Sequence, residues 1–177
     1  DRFDQTYLHI FAWNEVKREI VGAYRAGPTD EILNKEGPDG LYTTTLFDYR
    51  PGVVEALNPA LEMGRSFVIP EYQRKHASLS LLWQGIGHLL VRLPRYRVLF
   101  GPVSISREYR NLSKSLIMTY LKQTSMDPDY SSQVKAKHPP GKPFFGRLDR
   151  NALARSVRDI EDVSALISEI EREALGV

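Results

Sequence analysis

Residues 61–87, "LEMGRSFVIPEYQRKHASLSLLWQGIG", decide the fold, because a strand pattern changes into a helix pattern within them. The strongly apolar run over 60–69 predicts a strand. From 77 to 93, large apolar residues recur at intervals of three and four, which is the spacing of an amphipathic helix. Pro94 would follow the end of that helix. The sequence therefore predicts a strand, a charged turn and a helix in direct succession.

The charged turn between strand and helix is a candidate anion site. A helix that begins where a strand ends points its free backbone N–H groups and the positive end of its dipole at the turn. Arg74, Lys75 and His76 would add positive charge there, and Ser78 stands near the helix start as a candidate cap. A solvated loop is the alternative, and periodicity does not decide between the two.

Composition places the chain among ordinary globular proteins. Its 177 residues suffice for one α/β domain with a sizeable core, and no apolar run is long enough to span a bilayer. We therefore expect a soluble protein. The absence of cysteine excludes disulfides and thiolate metal sites, and the four scattered histidines argue against a zinc site.

Charge is distributed unevenly along the chain. Residues 65–122 hold ten lysines and arginines but only two acids, a net charge of +8, whereas the residues before 65 carry a net charge of −5. Such a basic segment is either a solvated face or a surface that suits an acidic partner or a phosphate-bearing ligand. Nucleic-acid binding is not favoured, because no recognisable motif accompanies the charge.

The order of predicted elements indicates a mixed α/β fold. The chain begins with two predicted antiparallel strands at 6–13 and 19–26, a short helix within 26–40, a strand at 41–49 and a helical turn within 50–59. The strand and helix of 60–93 come next, followed by a strand at 96–106 and a helix at 107–123. The remainder is a Pro-rich loop over 127–146 and a last helix at 152–174. The strand–helix–strand–helix unit implies a parallel crossover. We expect a core at 4–126, an arm at 127–150 and a C-terminal helix at 151–177.

Four strings carry a resemblance to a known family: "VGAYRAG", "LEMGRSFVIPEYQ", "LLWQGIG" and "YRVLFGPVSIS". Together they resemble the GNAT acyltransferase fold. More narrowly, residues 4–121 resemble the N-acyltransferases of the hemolysin-like and ornithine-lipid-forming type, which are similar to acyl-homoserine lactone synthases in their Glu-x-x-Arg strand. The resemblance implies transfer of a fatty acyl group from an acyl carrier protein thioester to the amine of an amino acid. It also implies that the chain is an excerpt of a longer one.

The turn departs from the GNAT pattern that binds coenzyme A. That pattern is Q/R-x-x-G-x-G/A, whereas "QRKHAS" supplies no glycine for close approach to a pyrophosphate. The single phosphate of a carrier protein's phosphopantetheine does not require such a close approach of the backbone. The resemblance thus implies no resident cofactor, with an acyl-phosphopantetheine thioester of carrier protein or coenzyme A as co-substrate. The basic segment would steer an acidic carrier protein through arginines such as Arg92, Arg95, Arg97, Arg107 and Arg110.

The resemblance also suggests roles for individual residues. Glu62 would accept the amine proton, directly or through water, and the alternative is a salt bridge to Arg65 or Arg25. Arg65 joins the predicted catalytic residues if a bulge, eased by Gly64, turns the strand and frees a backbone N–H for the thioester oxygen. Tyr109 would protonate the leaving thiolate, although a boundary aromatic is the plainer interpretation. The predicted donor-binding residues are Val68, Gln73, Arg74, Lys75, His76, Ala77, Ser78, Ser104 and Ser106.

Two functions from different classes remain open. The first is an N-acyltransferase in the cytoplasm, peripheral on the inner membrane, that produces N-acyl amino acids. The second is a non-catalytic module of the same fold that binds acyl carrier protein or an acidic membrane surface beside a fused lysophospholipid acyltransferase domain. The sequence does not fix the acceptor amine, the acyl chain length or the oligomeric state.

The charged turn yields the first testable prediction. Replacing Arg74 and Lys75 together by alanine should weaken binding of acyl carrier protein, and the difference from wild type should shrink in high salt, because salt screens long-range attraction. Titration calorimetry at low and high ionic strength measures both effects. Equal affinity of the variant and the wild type at low salt would support the alternative interpretation, in which the turn is a solvated loop.

Overall fold

The computed structural model describes residues 1–73, 76–139, 141 and 157–175, except for the side chains of His76 and of 173–175. The chain forms two compact units, Asp1–Pro102 with Val134–Lys137, and Val103–Gln133 with His138–Val177. The predicted division at 4–126, 127–150 and 151–177 stays a prediction, because the units reflect packing and not independent folding. Among the described residues, no helix combines the length and apolar character needed to cross a bilayer.

The first unit is built on a mixed four-stranded sheet. Its strands are β1 (Leu8–Asn14), β2 (Glu19–Pro28), β4 (Ala60–Val68) and β5 (Val98–Phe100), in the order β1-β2-β4-β5. The neighbours β1–β2 and β2–β4 are antiparallel, and β4–β5 is parallel. The mixed α/β class and the antiparallel hairpin followed by a parallel crossover are confirmed. The predicted strand at 96–106 is wrong in length, since pairing with β4 ends at Phe100.

One face of the sheet is covered by a long helix, α4 (His76–Arg92), as the spacing predicts. Its Leu82 and Ile86 are 1% exposed, and α4 contacts β1 and β2. Leu79 and Trp83, which lie on the same predicted apolar stripe, are about half exposed. The buried stripe is therefore narrower than the sequence pattern, because the sheet beneath the helix is too small to cover its whole apolar face. Ser78 lies inside the first turn of α4 and is not its N-cap.

The opposite face carries the main core. Two helices, α1 (Thr29–Glu36) and α2 (Val53–Leu57), pack at its Glu62 end together with a 3₁₀ turn at Tyr42–Thr45. The short α3 (Pro70–Gln73) instead contacts α4. The buried core residues of this cluster are Phe3, Tyr7, Ile32, Leu41 and Val54. Aromatic and aliphatic side chains thus close one end of this face.

Short strands account for two wrong expectations. The predicted strand at 41–49 is a 3₁₀ turn over Tyr42–Thr45, and only β3 (Phe47–Tyr49) is extended. The region predicted as a Pro-rich loop contains the helix α6 (Pro128–Ser131) and the strand β6 (Val134–Ala136), which pairs antiparallel with β3. Three-residue strands are too short to show a period of two, so only the partner strand reveals them.

The second unit is a helical pair. Its helices are α5 (Asn111–Thr124) and α7 (Ile160–Leu175), and their shared core consists of Leu116, Val163, Ile167 and Ile170. The apolar spacing predicted both helices, whereas the predicted start of the last helix, at 152, lies outside the described residues. Helix–helix packing through one apolar stripe on each partner explains why spacing alone located them.

Gly101 provides a test of how closely β4 and β5 approach. A Cβ built on Gly101 would lie 2.1 Å from the carbonyl oxygen of Met63, which is backbone and cannot rotate away. Gly101→Ala should therefore destabilise the protein by about 1–3 kcal/mol, as overpacking typically does. Gly87→Ala is the matched control, since its Cβ meets open space on α4 and alanine favours a helix by roughly 0.5–1 kcal/mol. Urea unfolding measures both, and equal stabilities would contradict the close approach.

Candidate active site

The site is organised by a bulge in β4. Ala23 pairs with Phe67 and Arg25 pairs with Gly64, so the two residues Arg65 and Ser66 oppose the single residue Tyr24. The predicted bulge is therefore present. Its left-handed residue is Arg65, with φ 50°, rather than the neighbouring Gly64 expected to ease the bulge. A non-glycine residue in this region costs of order 1 kcal/mol, which the surrounding pairing must offset.

The bulge changes what the strand offers to a ligand. In a bulge the extra residue falls out of the ladder, so a backbone N–H that would have joined a neighbouring strand is available to another acceptor. The bulge also restores the facing of the strand, because Phe67 lies on the same face as Ala23 and Gly64 on the same face as Arg25. A backbone donor and the side chains beside it are thus set at one fixed point of the sheet.

Arg65 itself reaches toward the edge of this face. Its side chain is 62% exposed, and Nη2 lies 2.9 Å from Oδ2 of Asp1. An ion pair this exposed adds little stability. The guanidinium therefore remains accessible to a ligand at the bulge, as expected of a binding group.

Glu62 is held as a buried carboxylate. It is 1% exposed and accepts hydrogen bonds from the Tyr7 hydroxyl, from the Tyr42 backbone N–H at 3.0 Å and from the Thr43 backbone N–H at 2.6 Å. These donors tie the 3₁₀ turn to β4. In this arrangement the carboxylate does not touch solvent, so its role as proton acceptor stays a prediction. Its hydrogen bonds show that it positions the 3₁₀ turn against β4.

The alternative proposed for Glu62, a salt bridge to arginine, is wrong. Among the described residues, Glu62 pairs with neither Arg65 nor Arg25, because its acceptor sites face the 3₁₀ turn. The hydroxyl of Tyr7 is one of the donors to Glu62. Burial, reinforced by the adjacent Glu62 carboxylate, raises the pKa of Tyr7 well above its ordinary value, so the hydroxyl stays protonated and donates.

Arg25 occupies an aromatic cage next to Glu62. It is 2% exposed, and Nη1 contacts Asp1 at 2.9 Å and Asp4 at 2.8 Å. Its Nε and Nη2 have no hydrogen-bond partner among the described atoms. The guanidinium carbon lies 4.7 Å from the ring centre of Tyr7 and under 6 Å from two further rings, those of Phe3 and Tyr42. Cation–π attraction therefore compensates the buried charge, which makes Arg25 a structural residue.

Two grooves meet at the bulge. The helix-side groove, about 360 Å³, is lined by Ser66, Phe67, Val68, Gln73, Leu79 and Leu82. The open-face groove, about 460 Å³, lies at Asp1, Asp4, His9, Ala23, Tyr24, Arg25, Arg65, Ser66 and Phe67. Ser66 and Phe67 line both. Two reactants that enter from different grooves would meet at these residues.

The predicted donor-binding residues fall into three groups. Val68 and Gln73 line the helix-side groove, where Gln73 Nε2 donates to the Val68 carbonyl at 2.9 Å. Ala77 and Ser78 instead border a third groove, between β1 and the start of α4. Arg74 and Lys75 lie outside the described residues, as does the side chain of His76, so their phosphate contacts stay predictions.

The remaining predicted residues lie in the second unit. Ser104 is exposed, Ser106 Oγ accepts a hydrogen bond from the Glu108 backbone N–H at 3.2 Å, and Tyr109 is 39% exposed. The expectation that both serines end a parallel strand is wrong, because β5 stops at Phe100. Their proposed proximity to the thiolate stays a prediction.

Sequence reasoning missed His9, Ala23 and Phe67. All three line the open-face groove. His9 is the Cα partner of Arg25, and its Nε2 lies 3.1 Å from the Asp4 carbonyl oxygen. That oxygen can only accept, so in the neutral ring Nε2 carries the proton and Nδ1 keeps a lone pair. Period-two facing along β1 and β2 is a signal for these residues, but only strand register shows which residues share a row.

Comparison with known proteins shows what the chain is similar to. Residues 1–84 match the family model of the acetyltransferase (GNAT) domain, in agreement with the bulged sheet. The chain is homologous to two glycine N(alpha)-acyltransferases. It is 32% identical over 131 residues to that of Bacteroides thetaiotaomicron, covering 70% of this chain and 39% of the relative. It is 30% identical over 137 residues to that of Phocaeicola vulgatus, covering 73% and 42%.

The chain thus spans about two fifths of the length of these curated relatives. No solved structure matches it significantly. The comparisons therefore show a GNAT domain match over residues 1–84 and similarity to N-acyltransferases over the aligned region, and the activity of the whole protein is a matter for proposal.

Glu62→Gln separates positioning from catalysis. The glutamine amide nitrogen cannot accept from the backbone N–H of Thr43 or Tyr42, so we expect a loss of about 1–3 kcal/mol. In a chain of this size each kcal/mol lowers Tm by roughly 2–4 °C. Calorimetry and single-turnover rates on one preparation report both roles. A destabilised variant that is fully active per folded molecule removes Glu62 from the chemistry, whereas a rate loss of roughly 10²-fold or more supports the predicted base.

Proposed function

We propose that this chain is the acyl-transferring region of an N-acyltransferase that moves a fatty acyl group from a phosphopantetheine thioester to the amine of an amino acid. The observation that carries the proposal is the bulge of β4, with one groove on each side of it. A thioester and an amine would reach Ser66 from different sides. Such an arrangement supplies proximity and orientation, which account for much of the rate of an acyl transfer.

The helix-side groove suits the donor arm. Phe67, Leu79 and Leu82 make it partly apolar, while Ser66 and Gln73 offer hydrogen bonds, a combination that fits the amides and methylenes of pantetheine. The donor we propose is acyl carrier protein, because the turn before α4 lacks the glycines that a pyrophosphate needs and the 65–122 segment carries a net charge of +8.

The reaction balances without a cofactor. The amine nitrogen attacks the thioester carbonyl carbon, a C–N bond forms and the C–S bond breaks. Negative charge collects on the carbonyl oxygen during attack, where a backbone N–H of the bulge would donate to it. The amine loses one proton, and the departing thiolate takes up one proton, for which Tyr109 is the predicted donor.

The open-face groove suits the acceptor. Arg65 offers a guanidinium to a carboxylate, and His9 Nδ1 offers a lone pair to an ammonium or amine proton. We assign the first contact with that proton to His9, since Glu62 is enclosed by its three donors. Glycine is the acceptor to test first, because both relatives are glycine N(alpha)-acyltransferases.

The finer placement follows from the resemblance. We assign the chain to the hemolysin-like and ornithine-lipid-forming type, acting in lipid biosynthesis in the cytoplasm and peripheral on the inner membrane. An amphiphilic product supports this location, because an N-acyl amino acid partitions into a bilayer. The non-catalytic module is the competing proposal, and turnover separates the two.

A product assay tests the proposed function. Full-length protein is mixed with palmitoyl carrier protein, or with palmitoyl coenzyme A, and with a set of amino acids, and N-acyl products are measured by mass spectrometry. We expect N-palmitoyl amino acid with carrier protein, and a roughly 10²-fold lower rate for His9→Gln. Binding of carrier protein without product from any amino acid would instead indicate the non-catalytic module.

A further inference from the structure

We propose that the fatty acyl chain lies along the open face of the sheet, on a floor formed by Ala23. This inference rests on the proposed function, since it names the place of the acyl chain in that reaction. The feature behind it is a row of in-register residues across three strands, which neither the sequence pattern nor the GNAT resemblance assigns to a ligand.

The row alternates large, small and large side chains. Phe11 of β1 is the Cα partner of Ala23 of β2, and Ala23 is the partner of Phe67 of β4, so all three side chains share one face. Phe11 is 56% exposed and Phe67 is 50% exposed. Neighbouring strands lie about 4.8 Å apart, so the two rings flank a trough roughly two strand spacings wide.

The trough has one apolar and one polar end. Toward the hairpin, Trp13 pairs with Ile20, and both are nearly half exposed, at 48% and 44%. Toward the bulge, the next row contains His9 and Arg25, with Arg65 beside them. The face therefore matches an amphiphile whose chain points to the hairpin and whose polar head lies at the bulge.

Continuity with the bulge selects an acyl chain as the occupant. Arg65, Ser66 and Phe67 line the open-face groove together with Ala23, so a chain attached to a carbonyl carbon at the bulge can leave directly along the trough. At the polar end the Arg65 guanidinium and the Asp1 carboxylate present both charge signs, which suits the amide and carboxylate of an N-acyl amino acid. Burial of half-exposed aromatic rings stabilises the bound chain by about 25 cal/mol for each Å² removed from water.

The third groove is the competing location. It measures about 580 Å³, shares Phe11 and Trp13 with the trough, and adds Tyr72, Ala77 and Leu81, so it is larger and also apolar. None of the bulge residues lines it, however. A chain bound there would have no direct route from the thioester, and the two locations differ in which alanine forms part of the wall.

Quenching of tryptophan fluorescence reports fatty-acid binding without any turnover, and wall variants distinguish the locations, because Trp13 also lines the third groove. The chain has two tryptophans, and Trp83→Phe leaves Trp13 as the sole reporter at the apolar end of the trough. Dibrominated stearic acid quenches a tryptophan that it contacts. We expect saturable quenching of Trp13, a roughly tenfold or greater loss of affinity for Ala23→Leu, and unchanged affinity for Leu81→Ala, which removes a wall of the third groove instead.

Folding and activity controls make the result decisive. Circular dichroism and Tm check Ala23→Leu, and Phe67→Ala, which removes one wall, replaces it if the leucine variant does not fold. Retained affinity in the trough variants, or a loss with Leu81→Ala, overturns the inference. In the product assay Ala23→Leu should shift preference toward shorter acyl chains. Fatty-acid binding without any product would contradict the proposed function but not the inference about the trough. Turnover by Ala23→Leu with an unchanged chain-length preference would contradict the inference about the trough but not the proposed function.

Discussion

The bulge of β4 is the constraint on which the candidate site depends. A regular antiparallel pair would place Arg65 on the face opposite Gly64 and would leave Phe67 out of line with Ala23. Because Arg65 and Ser66 both oppose Tyr24, Phe67 comes back into line with Ala23. Glu62, Arg25, Ala23 and Phe67 therefore lie on a single face. The cost is one arginine in the left-handed region. The gain that we propose is a backbone donor at the point where Ser66 and Phe67 line two grooves.

The rigidity of this point comes from the buried polar cluster next to it. Glu62 fastens the 3₁₀ turn at Tyr42–Thr45 to β4, and Tyr7 bridges the carboxylate and that turn. Arg25 is enclosed by aromatic rings and two acids. Buried charges that share partners in this way hold a geometry firmly, because the loss of any one partner leaves another uncompensated. The covered end of the sheet therefore supports the open end, where the proposed ligands bind.

Several parts of the fold and site could be predicted because their signals are local. Apolar spacing predicted helix α4, and β-branched and aromatic runs predicted the β1–β2 hairpin. The resemblance around Glu62 and Arg65 predicted the bulge. Other features depend on partners distant in sequence. β3 and β6 are visible only as a pair, and the hydrogen bonds of Glu62 come from residues 19, 20 and 55 positions away. The salt bridge considered as the alternative role of Glu62 is wrong for this reason.

The sequence by itself determined the class of fold, the order of strand, turn and helix, and the concentration of positive charge over 65–122, because periodicity, breaker residues and charge are properties of neighbours in the chain. Only the tertiary structure decided that Arg65 and not Gly64 takes the left-handed conformation, that Trp83 remains half exposed, and that Phe11, Ala23 and Phe67 form one row. The physical reason is strand register. A shift of one residue turns every side chain of a strand to the other face, and register is set by pairing between segments that the sequence does not place side by side.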